Sequence, residues 1–291
     1  MKLIKPSFEI WEQSAGLEGV YKQIEKVGRV CYKSEDKITE DSAKPFVDRM
    51  IKSGHGAMLE HGTVYLKFET LARAEKYLNN KYSEVRTCYG SFYVTTNLRV
   101  LVENGWLDSL QYICEPTEYH ERRVTVHFTC DRGVSHEFVR HRVMSFAQES
   151  TRYCNYSKDK FGNELTFIIP CWLDIPTGHY AYWDGDWCDI DKMKIQLPEG
   201  EHKDIDAFLW TLNNAETHYT LLINSGWKPQ EARAVLPNSL KTELVVTGFT
   251  SDWNHFFDLR ARGTTGAPHP QAKELAEPLM KEFIARKYIN N

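Results

Sequence analysis

Apolar residues along this chain recur at helical spacing in some stretches and alternate in others. Over residues 40 to 53, Phe46, Val47, Met50 and Ile51 share one helical face and Gly54 follows as a stop. Thr63 to Phe68 alternates Val64, Leu66 and Phe68, the period of a strand buried on one side. Leu71 to Tyr82 reads as a helix, and Arg123 to Thr129 alternates Val124, Val126 and Phe128 as a strand. Asp131 stands where a short helix carrying His136 to His141 needs an N-cap. Leu165 to Ile169 and Leu244 to Thr247 are short strand candidates.

Asp204 to Asn224 is the longest amphipathic stretch, with Phe208, Leu212, Ala215, Tyr219 and Leu222 on one stripe and Gly226 beyond its end. Pro229 suits a first helical turn, continued by Gln230 to Leu236, and Trp253 to Arg260 and Ala272 to Tyr288 read as helices. Strands and helices do not alternate strictly, so the pattern predicts an α+β fold with a mixed or antiparallel sheet and long helices. No G-x-G-x-x-G is present, which argues against a Rossmann nucleotide site.

Composition narrows the class. The chain has 291 residues, 42% of them hydrophobic and 26% charged, as soluble globular proteins do. A net charge of −4 argues against a dedicated nucleic-acid binder. No apolar stretch suits a signal peptide or a membrane span, and the seven cysteines form no C-x-x-C pair. These features predict a cytoplasmic protein with reduced thiols, no membrane partner and no structural metal.

The densest chemistry lies in Arg140-His141-Arg142, followed after seven residues by Ser150, then Arg152-Tyr153. The cations are arginines, not the mixed lysines and acids of a solvated face, and Phe138, Phe146 and Tyr153 flank them. Guanidinium groups bind phosphate oxygens bidentately and stack on flat rings, so the run suits a nucleotide or a flavin. A zinc reading of His136-Glu137-Phe138-Val139-Arg140-His141 fails on geometry. Histidines five apart diverge by roughly 140° around a helix and cannot share one ion as residues four apart do. Pro170-Cys171-Trp172 offers only a lone cysteine, more often a small buried hydrophobe than a nucleophile.

The Arg-His-Arg, seven residues, Ser pattern resembles the signature of the flavin-dependent thymidylate synthases. Asp131 to His136 leads into it and Gln148 to Tyr153 closes it; Gly54 to His61, Glu231 to Pro237 and Phe257 to Arg260 resemble further blocks in the family's order. The resemblance implies reductive methylation of dUMP to dTMP, with FAD as cofactor and methylenetetrahydrofolate and NADPH as co-substrates. It also implies one domain over residues 1 to 291 and a homotetramer with active sites between subunits. The stretches 83 to 122 and 171 to 203 read as insertions relative to short members. The second is read as a loop from Gly178, Gly185, Gly200, its tryptophans and the acids between 184 and 191.

By that resemblance, His55, Ala57, Glu60, Arg140, His141, Arg142, Gln148, His255 and His269 face the flavin. Glu137, Arg140, Gln148, Glu149, Ser150, Thr151, Arg152, Arg233 and Arg260 face the substrate. Arg260 carries the direct chemical role, stabilising an ionised uracil N3 and raising electron density at C5. Ser150 belongs to the catalytic pair by the resemblance, but no neighbouring base activates it, so its expected work is to position the uracil. Arg152 pairs with the nucleotide phosphate. Glu137 stands where many members have Gln, and Gln148 where others have Glu. Family flavin contacts fall on Phe249, Ser251 and His255, which implies altered contacts there. A flavin- and folate-dependent nucleic-acid methyltransferase and a non-catalytic nucleotide-binding protein are the alternative readings.

Overall fold

Nine residues of Arg123–Asp131 pair antiparallel with nine of Lys241–Phe249, from Lys241 against Asp131 to Phe249 against Arg123. In this computed structural model, which describes residues 1–158, 162–183, 186–190 and 203–290, that ladder is the centre of the molecule. In chain order the first half runs β1 (Lys2–Ile4), β2 (Ser7–Trp11), α1 (Gly16–Tyr32), α2 (Ala43–Lys52), α3 (Gly56–Leu59), β3 (Thr63–Phe68), α4 (Leu71–Leu78), β4 (Glu84–Cys88), β5 (Ser91–Asn97) and α5 (Leu98–Glu103). The second half runs β6 (Arg123–Asp131), α6 (Arg132–Phe138), β7 (Ser145–Gln148), β8 (Thr166–Ile168), β9 (Gly178–Trp183), β10 (Asp186–Asp189), α7 (Lys203–Asn224), α8 (Pro229–Ala232), β11 (Lys241–Phe249), α9 (Thr250–Phe257) and α10 (Pro270–Ala285).

The central sheet has the order β2-β6-β11-β7, all antiparallel. One face puts Val124, Val126, Phe128, Leu244 and Val246 against Trp253, Phe256, Phe257 and Phe283 of α9 and α10. The other packs Val245 and Ala147 on α1 and α2 through Val20, Ile24, Val27 and Phe46. Burial on both faces explains why β11 runs five residues beyond the expected Leu244–Thr247: its apolar run does not alternate, so periodicity sees only part of it. A second sheet, β3-β5-β4, is antiparallel, and a third, β10-β9-β1-β8, contains the parallel pair β1–β8. The expected α+β architecture with antiparallel sheets is observed.

Several elements were not legible in the pattern. The 17-residue α1 has glycines and lysines among its apolar positions, yet it buries Val20, Ile24, Val27 and Val30. Residues 84 to 97 form a hairpin that completes the β3 sheet. Within the stretch read as a loop, Gly178–Trp183 and Asp186–Asp189 pair as a hairpin; Gly185, Gly200, Asp184 and Asp191 lie outside the described residues. The helix capped by Asp131 ends at Phe138, so His141 lies beyond it. The helix expected over Trp253–Arg260 ends at Phe257, and a π-helical turn, Asp258–Arg262, follows.

Phe128 is fully buried and meets Phe138 at 5.0 Å and Phe256 at 6.4 Å, so it joins β6 to α6 and α9. Phe128→Ala should lower unfolding stability by about 3–5 kcal/mol through lost burial and a residual cavity, measured as a reduced urea midpoint with an unchanged slope.

Candidate active site

Asp131 ends β6 and caps α6: its Oδ1 accepts the Val134 N–H at 2.8 Å and its Oδ2 accepts Gln271 Nε2 at 3.0 Å. The cap sets where α6 begins, and so where Glu137 and His141 emerge at its far end. β11 feeds α9, and the π turn after α9 swings Arg260 back onto that same end. Arg260 Nη1 is ion-paired with the Glu137 carboxylate, Nη2 donates to the Glu137 carbonyl at 2.7 Å, and Nε donates to His141 Nε2 at 3.3 Å. Gly263 closes the turn at φ +71°, where an added Cβ would meet Gly266 O at 2.9 Å.

His141 is buried, with its ring 4.9 Å from Phe256 and 6.0 Å from His255. Burial, then the Arg260 and His255 charges, push its pKa down to about 4. The neutral ring is what the geometry requires, because Nε2 must accept from Arg260. Its neighbours Arg140 and Arg142 point into solvent, and among the described residues neither is in an ion pair. His136 and His141 serve different places: His136 lines the cavity described next.

That cavity, about 270 Å³, is lined by Arg132, His136, Thr151, Arg233 and the Leu236–Leu240 connection. Arg233 Nη1 donates to Thr151 Oγ1 at 3.2 Å. Arg132 Nη1 is buried without a hydrogen-bond partner among the described residues. Sequence reasoning gives Arg132 and His136 no site role: Asp131 reads as a cap, Asp131 to His136 as the lead-in to the arginine motif, and His136 enters only the rejected zinc reading; the signal available was a cation directly after the cap.

Ser150 is held by its backbone: its N–H donates to Cys31 O at 3.1 Å, and its Oγ accepts the Arg152 N–H at 3.3 Å. Arg152 and Tyr153 are exposed and stack at 5.4 Å. Gln148 Nε2 donates to Ser135 Oγ at 2.8 Å and Thr242 Oγ1 at 3.2 Å. Glu149 is fully buried, accepting Tyr156 OH at 2.9 Å and Lys241 Nζ at 2.8 Å. Lys241 also binds Glu243 at 2.5 Å, and Glu243 pairs with Lys33 and accepts His127 Nε2 at 3.0 Å. Burial alone would raise the Glu243 pKa; the His127 hydrogen bond and the two ammonium groups outweigh it and hold it far below the usual carboxylate range.

Of the other expected flavin-facing residues, His255 lies beside His141, whereas His55, Ala57, Glu60 and His269 are apart from these contacts. His55 is exposed at the N-cap of α3, Ala57 is half-buried, and Glu60 is ion-paired with Arg99. His255 and His269 are exposed, the latter edge-on to Trp172 at 6.1 Å. Phe249 is buried beneath the Arg123 guanidinium at 5.5 Å, and the Ser251 N–H donates to Glu121 at 3.2 Å.

Under α3, His61 is wholly buried, with Nδ1 2.8 Å from Thr247 Oγ1, and burial with the Arg123 charge lowers its pKa to about 3. Both His61 and His141 have folded pKa values below the unfolded 6.5. Their neutral forms therefore contribute full stability above about pH 6.5, and that contribution falls as pH drops toward 4 while the unfolded chain takes up protons. Proton NMR of the imidazoles should show His141 neutral down to about pH 4. A His141 midpoint near 6.5 would contradict this arrangement.

A sequence model of the family described as "Thymidylate synthase complementing protein" matches residues 83–286. A flavin-dependent thymidylate synthase of Pyrococcus furiosus is 31% identical over 163 residues, 55% of this chain and 53% of that protein. Another, from Corynebacterium aurimucosum, is 23% identical over 274 residues, 93% of this chain and 78% of that one. The match thus spans about half the length of the Pyrococcus relative. A UMP/dUMP methylase from Streptomyces cacaoi, crystallised with 5-bromo-dUMP, superposes over 98% of this chain and 93% of its own with a TM-score of 0.44 and 18% identity. Both stretches expected to be insertions, and every arginine of the two clusters above, fall within the matched 83–286, and the chain belongs to the thymidylate synthase complementing protein family, that of the flavin-dependent thymidylate synthases.

Proposed function

We propose that this protein methylates dUMP to dTMP reductively, with FAD as cofactor and methylenetetrahydrofolate and NADPH as co-substrates. The observation that carries the reading is the family match across residues 83–286, which includes the Arg132–Arg233–Thr151 cavity and the Arg260–Glu137–His141 cluster. The first gathers cations around an orphaned donor, as a nucleotide phosphate needs. The second holds a guanidinium beside a neutral imidazole, a group suited to a ring nitrogen that acquires negative charge.

The residues present fit a flavin dinucleotide. Arg140 and Arg142 offer solvent-facing guanidinium groups without ion pairs among the described residues, and a pyrophosphate would occupy them. His55, Glu60, His255 and His269 are further candidates on the exposed surface. When bound, the flavin supplies the hydride, NADPH renews it and methylenetetrahydrofolate provides the carbon.

Within this division, Arg132, Arg152 and Arg233 bind the phosphate of dUMP and Thr151 steadies Arg233. Ser150 positions the uracil through its hydroxyl and backbone. Arg260 stabilises negative charge at N3, which raises electron density at C5. Its aim is set by the three acceptors at the end of α6, and Glu137 tempers its charge until the pyrimidine arrives. We further propose a homotetramer without Rossmann topology, its active sites completed between subunits. The solvent-facing position of His55, Arg140, Arg142 and His269 in the single chain supports shared sites. A cytoplasmic location suits seven free thiols. Among the described residues no helix is long and apolar enough to cross a membrane.

An anaerobic assay with FAD, NADPH, methylenetetrahydrofolate and dUMP tests the function; dTMP should form only when all four are present. Arg260→Ala should lower kcat by roughly 100- to 1,000-fold, the usual effect of removing one preorganised charge-stabilising donor, with FAD affinity nearly unchanged. Near-normal turnover would remove Arg260 from the chemistry. Arg132→Ala should weaken dUMP binding by about 10- to 100-fold, the loss of a charge-assisted phosphate contact, and titration calorimetry reads it directly.

A further inference from the structure

The carboxylate of Glu149, next to Ser150, does not face the Arg233 cavity. Thr151 lines that cavity of about 270 Å³, whereas Glu149 lines a different one of about 680 Å³ together with Lys33, Tyr156 and Lys241. The turn between them is a wall with a cavity on each side. Both Glu149 oxygens are already taken, one by Tyr156 OH at 2.9 Å and one by Lys241 Nζ at 2.8 Å, and the side chain is fully buried. With one bond on each oxygen and a fully buried side chain, this carboxylate is engaged with the protein on the side away from the Arg233 cavity.

These bonds close a loop. Glu149 and Tyr156 are seven residues apart, and the hydroxyl-to-carboxylate bond ties the base of the segment that carries Ser150, Thr151, Arg152 and Tyr153. Inside it, the Tyr153 and Cys154 N–H groups both donate to Ser150 O, at 3.1 and 2.9 Å. Below it, the Glu149 N–H donates to Glu243 O at 2.8 Å, and Lys241, Glu243 and Lys33 continue the charge alternation to the end of α1. Cys31, at that same end, accepts the Ser150 N–H. Ser150 is therefore held from α1 and from β11 at once.

We infer that Glu149 is a positioning residue: clamped by Tyr156 and Lys241, it fixes the Ser150–Arg152 turn and contacts no substrate itself. This rests on the reading of that turn as the dUMP-binding segment. Alternating buried charges suit the work, because each partner is satisfied in only one arrangement and any displacement leaves a charge unpaired in a poorly solvated place.

Tyr156→Phe in the FAD-loaded protein is the primary test, since it removes one hydroxyl and preserves packing. It should weaken dUMP binding by about tenfold, as loss of a hydrogen bond to a charged group implies, with FAD affinity and melting temperature near those of the parent. Hydrogen exchange at the amides of residues 150–154 should speed up with no nucleotide present. Glu149→Gln, whose amide oxygen still accepts from Tyr156, should keep most of the affinity that Glu149→Ala loses. Unchanged exchange and unchanged dUMP affinity in Tyr156→Phe would overturn the proposal. So would parallel loss of dUMP binding, FAD binding and melting temperature, which marks a general structural role. If the parent protein itself fails to bind dUMP, the substrate reading falls, while the exchange measurement still decides whether Glu149 holds the turn.

Discussion

Everything placed around Ser150 and Arg260 depends on the nine-pair ladder between β6 and β11. Its register puts Asp131 opposite Lys241 at one end and Arg123 opposite Phe249 at the other. From the first end α6 departs under the Asp131 cap; from the second α9 departs and returns through its π turn to the far end of α6. A slip of one residue would turn every side chain to the opposite face and separate Arg260 from Glu137. Burial on both faces makes such a slip expensive, because Val126, Phe128, Leu244 and Val246 would all leave one core for the other.

Electrostatics adds precision that apolar packing lacks. The series Glu149, Lys241, Glu243, Lys33 alternates in sign along the edge where β11 meets β7 and the end of α1. Burying ions is costly, and a hydrophobic replacement of equal volume is often no less stable. What charges offer is discrimination: each contact is satisfied by one geometry. His127 extends the series to Trp11, stacked on it at 4.7 Å with Lys26 above that ring, so β2 joins the same network. Arg260 follows the same logic, held by a carboxylate, a carbonyl and a neutral imidazole with three different geometric demands.

Much of the candidate site was legible because it lies in short contiguous blocks. The Arg140 to Arg152 spacing, the Asp131 cap and the Arg233 and Arg260 blocks can be read as strings. Arg132 and Lys241 could not, since nothing in their local sequence separates a ligand-facing or network cation from a solvated one. Glu149 was assigned to the substrate through the family resemblance; its burial against Tyr156 and Lys241 emerges only when β11 lies beside β7.

The sequence by itself determined the α+β class, the positions of most helices and the chemical character of the arginine run. Helical periodicity, capping and charge type are local properties, and a few neighbouring residues suffice to express them. Tertiary structure alone decided the extent of β11, the two hairpins and the partners of each ionisable group. These depend on which surfaces are buried together and on contacts between residues more than a hundred positions apart, such as Glu137 with Arg260 and His127 with Glu243. Desolvation and pairing belong to the folded environment, so the neutral state of His141 and the ionised state of Glu243 could be assigned only once that environment was known.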